Sequence, residues 1–220
     1  MDDYEDYRMQ EFLSDHLDAE LRRIAEEPVF GYLARYGDAI EARVNDCLSE
    51  GKLLLSATFP AASVIRTAAG IEISLRFFLA RPLLQGAFLS DEWSELLSRK
   101  FLNGRTAEDR DLLPAILRNW GIDITAATVS GSGQLWDLIV SKIWPRRNDC
   151  VHKGAAASVE EAQLAIVCLE ALLREIVDPL AIRLGFTRDR TQCWSTVARD
   201  NPSELPDFNP PIKYERDDPF

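Results

Sequence analysis

The sequence predicts an all-α fold: a mostly antiparallel helical bundle preceded by an acidic helix and followed by an extended tail. Three observations carry this prediction. Apolar residues recur at spacings of three, four and seven over most of the chain, no stretch alternates β-branched and polar residues as a half-buried strand would, and prolines crowd the last twenty residues. At 220 residues, 46% of them apolar, the chain can bury one well-packed core.

The first element, to Glu27, places Phe12, Leu13, Leu17, Leu21 and Ile24 at helical spacing among many acids, and Pro28 punctuates it. A second helix follows from Val29 to about Glu50, with Phe30, Leu33, Ile40, Val44 and Leu48 on one face and Gly51 as its stop. A third, from Pro60 to about Ala80, carries Val64, Ile65, Ala68, Ile71, Leu75 and Phe78, with Pro82 blocking continuation. Its breadth of apolar face marks it as the central helix. Shorter helices are expected from Asp91 to about Leu102 and from a cap at Thr106–Asp109, with Pro114 starting another turn and Gly121 closing it. Residues 122–133, rich in Thr, Ser and Gly, read as a loop between halves of the bundle.

Helix resumes near Gln134 and meets Pro145, where a kink or fresh start is expected before Arg147-Asn148-Asp149-Cys150-Val151-His152, and Gly154 ends it. Ser158 and Glu161 have capping-box spacing and open a long helix that Asp178-Pro179 should kink. Beyond Gly185 the pattern dissolves into a proline-rich acidic tail, with Trp194 placed to pin its start to the bundle. The chain thus divides into 1–27, 28–185 and 186–220, with strand content near nil.

The formal charge of −11 is confined to the ends. Residues 1–27 hold ten acids against three bases and residues 200–220 six against two, while the stretch between is neutral. RNA is therefore not excluded as a partner, whereas coating of long nucleic acid, which draws on many uncompensated phosphate contacts, is disfavoured. The four cysteines have no paired spacing and no secretory leader opens the sequence, so reduced thiols and a cytoplasmic protein are expected. No apolar run approaches the ~20 residues that cross a bilayer, so no membrane partner is expected.

With two histidines and no close cysteine pair, a Cys/His zinc site lacks ligands, and no metal or other cofactor is expected. Val129-Ser130-Gly131-Ser132-Gly133 lacks the Gly-Lys-Ser/Thr ending of a phosphate loop. Cys150 and His152, two apart on a helix, point in different directions and make a poor thiolate pair.

Chemistry concentrates in the segment before Gly154. Asn148 and His152 are four apart and share a helix face, and Arg147 lies at its flank, about 140° from His152. Cleavage of RNA by its own 2′-hydroxyl needs a proton acceptor, a proton donor and a cation beside the phosphorane. Histidine can take either proton role, and arginine can hold two phosphate oxygens through its planar fork.

This segment resembles the Arg-X4-6-His motif of HEPN domains, in the form with a polar residue directly after the arginine. Gly154, the capped Ser158-Val159-Glu160-Glu161 and the apolar stretch Ala68–Arg76, where such domains often carry an acidic residue facing the motif, are also similar. The resemblance covers about 28–185. It implies a HEPN-like bundle that dimerises, sets two Arg/His pairs across one cleft and cuts RNA without metal as a toxin or antiviral effector. A cognate antitoxin or defence-system protein is an implied partner. Arg147, His152 and Asn148 would be the catalytic set, and Glu72, Arg146 and Lys153 would support it or bind RNA. Some HEPN toxins carry a modifiable tyrosine two residues after the histidine. Here Lys153 and Gly154 follow, so that control is not implied.

Plainer readings stand beside these. His152 can simply close the helix, where the dipole favours a cation. Arg146 and Lys153 can be solvated charges, and Glu72 must either face solvent or pair with an arginine such as Arg147. Trp93, Trp120, Trp136 and Trp144 read as packing residues. The alternative function is a non-catalytic HEPN-like module that binds RNA, a nucleotide or another protein.

Overall fold

The computed structural model describes residues 3–86, 97, 107–187 and 194–196. Helix α1 (Asp3–Ser56) is one unbroken rod of 54 residues, which corrects both the expected break at Pro28 and the expected stop at Gly51. An internal proline costs a helix about 3 kcal/mol. Val29 and Leu33, in the two turns after it, are fully buried, and each such aliphatic contributes about 1.5–3 kcal/mol. Packing outweighs the local penalty. Gly51 is a point of close approach: its carbonyl accepts from the Ser63 hydroxyl at 2.7 Å, and Thr67 Oγ1 occupies the place of a Cβ. The boundary drawn between 27 and 28 falls inside this rod.

A short turn with Thr58 at φ 64° leads into α2 (Pro60–Ile73), a π-helical stretch π1 (Ser74–Ala80) and α3 (Arg81–Gly86), which together form a second rod. The two rods are antiparallel, since Gly51 meets Thr67, Cys47 meets Gly70 and Val29 meets Gly86. Pro82, expected to block continuation, is passed. Helix α4 (Ala107–Asn119) packs on α3 and π1 and buries Leu113 and Leu117. Pro114 lies within it rather than at its start, and Gly121 closes it at φ 69°. The helix expected over 91–102 and the Thr106 cap lie outside the described residues, apart from Leu97.

The Ser/Gly-rich loop folds into a tight hairpin in which β1 (Thr128–Val129) pairs antiparallel with β2 (Gly133–Gln134) around Gly131. A third rod follows: α5 (Leu135–Leu138), π2 (Ile139–Ile143) and α6 (Trp144–Lys153). Of the kink or fresh start expected at Pro145, the fresh start does not occur: the π-helical stretch runs directly into α6. Gly154 ends it in the left-handed region at φ 63°, as expected. Ser158 then caps α7 (Val159–Leu172) through the expected box with Glu161. The fourth rod continues through π3 (Leu173–Val177) into α8 (Asp178–Arg183). A π turn, not a terminus, thus precedes Pro179.

The third and fourth rods form a second antiparallel hairpin, with π2 packed on α7 and Arg146 meeting Glu161 at the start of α7. Helix α2 lies against both α6 and α7. The all-α expectation holds, and strand is limited among the described residues to two ladders of two pairs each. The second ladder joins β3 (Phe186–Thr187) to β4 (Ser195–Thr196). Beside it Trp194 is buried, stacked on Phe78 at 4.9 Å, with its indole N–H donating to Glu41 Oε2 at 2.7 Å. It pins the start of the tail as expected, and Gly37 is required beneath it because a Cβ there would stand 2.5 Å from the ring. None of the described helices is long and apolar enough to cross a membrane.

The point where three rods meet is Gly70. A Cβ there would lie 2.7 Å from Leu169 Cδ2 and 3.0 Å from Cys47 Cβ, on α7 and α1. Gly70→Ala is therefore expected to destabilise the protein by about 1–3 kcal/mol through overpacking, against the ~1 kcal/mol that alanine gains over glycine in an open helix. Urea unfolding measures the difference, and a stabilised variant would show that the three rods can move apart freely.

Candidate active site

Helix α6 is placed by what surrounds it. The π2 turn carries the rod past Pro145 and delivers the helix, Cys150 is buried, and Gly154 releases the chain. These contacts leave Asn148, Val151 and His152 exposed. Val151 retains 43% of its surface beside the histidine.

Arg147 leans from α6 toward the end of α2. Its Nη2 lies 3.8 Å from Glu72 Oε2, and its Nη1 donates to Asn148 Oδ1 at 3.0 Å. Of the two fates open to Glu72, pairing with Arg147 is the one adopted. The carboxylate is partly buried, and burial pushes its pKa above the ordinary carboxylate range while the charges of Arg147 and Arg76 pull it back. With its oxygen accepting from the guanidinium, the exposed Asn148 keeps its amide N–H groups as donors. His152 lies one turn on, on the same face. Among the described residues no side chain is seen to hydrogen-bond its ring.

Arg146 and Lys153 are placed differently. Arg146 Nη2 donates to Glu161 Oε2 at 2.7 Å, the same oxygen that accepts the Ser158 backbone N–H at 2.8 Å. The capping carboxylate thereby fastens α6 to the first turn of α7. These two contacts, the backbone N–H first, hold Glu161 below the usual carboxylate range, and the bond to Glu161 raises Arg146. Lys153 pairs with Asp149 at 2.7 Å across one turn and lowers it. Arg146 is turned away from Asn148 and His152 toward the start of α7, whereas Asp149, three residues before His152, lies beside it on α6. A cleft of about 310 Å³ opens beside Arg146, lined by Ser141, Lys142, Arg146, Asp149 and Glu161 together with apolar groups. Arg147, Asn148 and His152 are not among its lining residues; Asn148 and His152 are exposed, whereas the Arg147 side chain is 16% exposed.

Arg76 is the residue that the sequence reading left out of the site. Its spacing of four from Glu72 was the available signal, since it puts both on one helical face. Its guanidinium lies over the ring of Phe77, 5.1 Å from the centroid. Of the tryptophans, Trp136 is buried and meets Trp144 edge-on at 5.8 Å, Trp120 packs near Gly86, and Trp93 is outside the described residues.

Since burial raises the Glu72 pKa, its contribution to stability is fully present below the unfolded-state pKa and is lost as pH rises through the folded one. Glu72→Gln should therefore melt no lower than the parent at pH 7, with the difference vanishing as pH falls below the ordinary carboxylate range. A variant that melts lower at pH 7 would mean that attraction to Arg147 and Arg76 exceeds the cost of burial. Comparisons of the chain with protein-family models, curated proteins and solved structures find no match, so the geometry of α6 against α2 carries the functional argument.

Proposed function

We propose that the protein is a metal-independent endoribonuclease with a HEPN-like site, acting in the cytoplasm as a toxin or antiviral-defence effector. The observation that carries the reading is the arrangement on α6: Arg147 held between Glu72 and Asn148, with His152 exposed one turn away on the face of Asn148. In this reaction the ribose 2′-oxygen attacks the adjacent phosphorus, the O2′–P bond forms and the P–O5′ bond breaks. One proton leaves the 2′-hydroxyl and one reaches the departing 5′-oxygen. His152 performs one of these transfers, Arg147 stabilises the dianionic phosphorane through its fork, and Asn148 orients the phosphate by donating from its amide.

A single His152 cannot both accept and donate in one concerted step. The second proton carrier is supplied by His152 of a second copy, a contact that the exposure of Asn148 and His152 permits. The exposed Val151 beside it suits such a contact. A cognate antitoxin or defence-system protein would act by covering this face.

Incubation of purified protein with total RNA in excess EDTA tests the activity. Products should carry 2′,3′-cyclic phosphate and 5′-hydroxyl ends, and a 2′-deoxy substitution at the cut site should block cleavage. His152→Ala and Arg147→Ala should each lose about 10²–10⁴-fold in rate with helicity intact, with Asn148→Ala milder. A folded His152→Ala protein that cuts at the parental rate would remove the catalytic reading and leave a non-catalytic RNA- or protein-binding module in its place.

Sedimentation should give a dimer at micromolar concentration. Catalysis by a strictly monomeric species would refute the shared site.

A further inference from the structure

We propose that Arg76 is a second phosphate-binding residue of this site, gripping the RNA backbone next to the phosphate held by Arg147. The proposal rests on the ribonuclease reading for the identity of the anion and on three observations for its place. Glu72 and Arg76 are four residues apart at the junction of α2 and π1, and so present one face. Arg147 reaches that same face from α6, ending 3.8 Å from Glu72. The Arg76 guanidinium lies over the Phe77 ring, its carbon 5.1 Å from the centroid.

The chemistry follows from how guanidinium groups bind. A guanidinium with one flat face on an aromatic ring keeps its N–H groups in plane, where phosphate oxygens are gripped. Glu72 serves as the common counter-ion. It holds the charges of two rods at one place without letting them repel each other apart, and its carboxyl responds to both arginines. A single cation suffices for the phosphorane, whereas a polymer substrate must also be held against dissociation. A second arginine offset by one turn along α2 supplies that grip. Arg146 reaches Glu161 at the start of α7 instead, and Lys153 is paired with Asp149 one turn back on α6.

The test uses the full chain and reads two quantities. In cleavage assays Arg76→Gln should raise KM about tenfold, the scale of one lost charged hydrogen bond, with kcat within about twofold. In a His152→Ala background, binding of a single-stranded RNA 12-mer should show a slope of log K against log salt shallower by about 0.7, the value of one phosphate contact on a single strand. Arg76→Lys should restore that slope while recovering only part of the affinity, since charge returns without the fork, and it serves in place of Arg76→Gln should the latter fail to fold. Parental KM and slope in Arg76→Gln would overturn the proposal while leaving the ribonuclease reading intact. Loss of kcat with unchanged KM would overturn it too, making Arg76 a positioning residue. If the parent binds RNA but does not cut it, the ribonuclease reading falls and the salt slope still decides for or against Arg76. If the parent neither binds nor cuts, both fall.

Discussion

A proline inside a helix lacks a donor for the ladder and sets its ring against the carbonyl four residues earlier. All four rods cross one, at Pro28, Pro82, Pro145 and Pro179. At the last three a π-helical stretch, Ser74–Ala80, Ile139–Ile143 or Leu173–Val177, stops two residues short of the proline. The carbonyls that would collide belong to Phe78, Ser141 and Glu175, and all three lie inside the widened turns. Shifting the ladder from i→i+4 to i→i+5 there lets the rod pass its proline without ending. The two long hairpins, and everything mounted on them, depend on this accommodation.

The candidate site sits where two of these crossings meet. Glu72 lies just before π1 and Arg76 within it, while Arg147 follows π2 by four residues. An inserted π turn changes the rotational phase of whatever follows, so π2 decides which side of α6 faces α2. The phase observed sends Arg147 toward Glu72 and Arg146 toward Glu161. Adjacent arginines on one helix are thereby separated into two jobs. One holds the bundle together through the cap of α7, and the other is held beside a partly buried carboxylate. That carboxylate is costly to keep charged, and two cations offset the cost.

Much of this was legible residue by residue. Gly154 as a left-handed stop and the Ser158/Glu161 box are local devices, in which residue type and spacing fix the geometry, while Trp194 was legible only as a large apolar residue at the start of a polar tail. The motif helix carrying Arg147, Asn148 and His152 was legible for the same reason. The breaks expected at Pro28 and Pro82 did not materialise, because a helix-breaking residue reports only a local cost and the burial that outweighs it comes from distant segments. Gly51 misled in the same way, since a glycine that terminates a helix and one that admits a neighbouring hydroxyl look identical in sequence.

The sequence by itself determined the helical class, the caps and the clustering of an arginine, an amide and a histidine within six residues, because each follows from the repeat of one helix and the chemistry of side chains a turn apart. Only the tertiary structure decided that Glu72 faces Arg147 and that Arg146 is spent on an ion pair with Glu161. Those partners come from other rods and depend on the phase at which a π turn delivers the helix. Such a rotation is fixed by the packing of the whole bundle and leaves no signature in the spacing of the residues it turns.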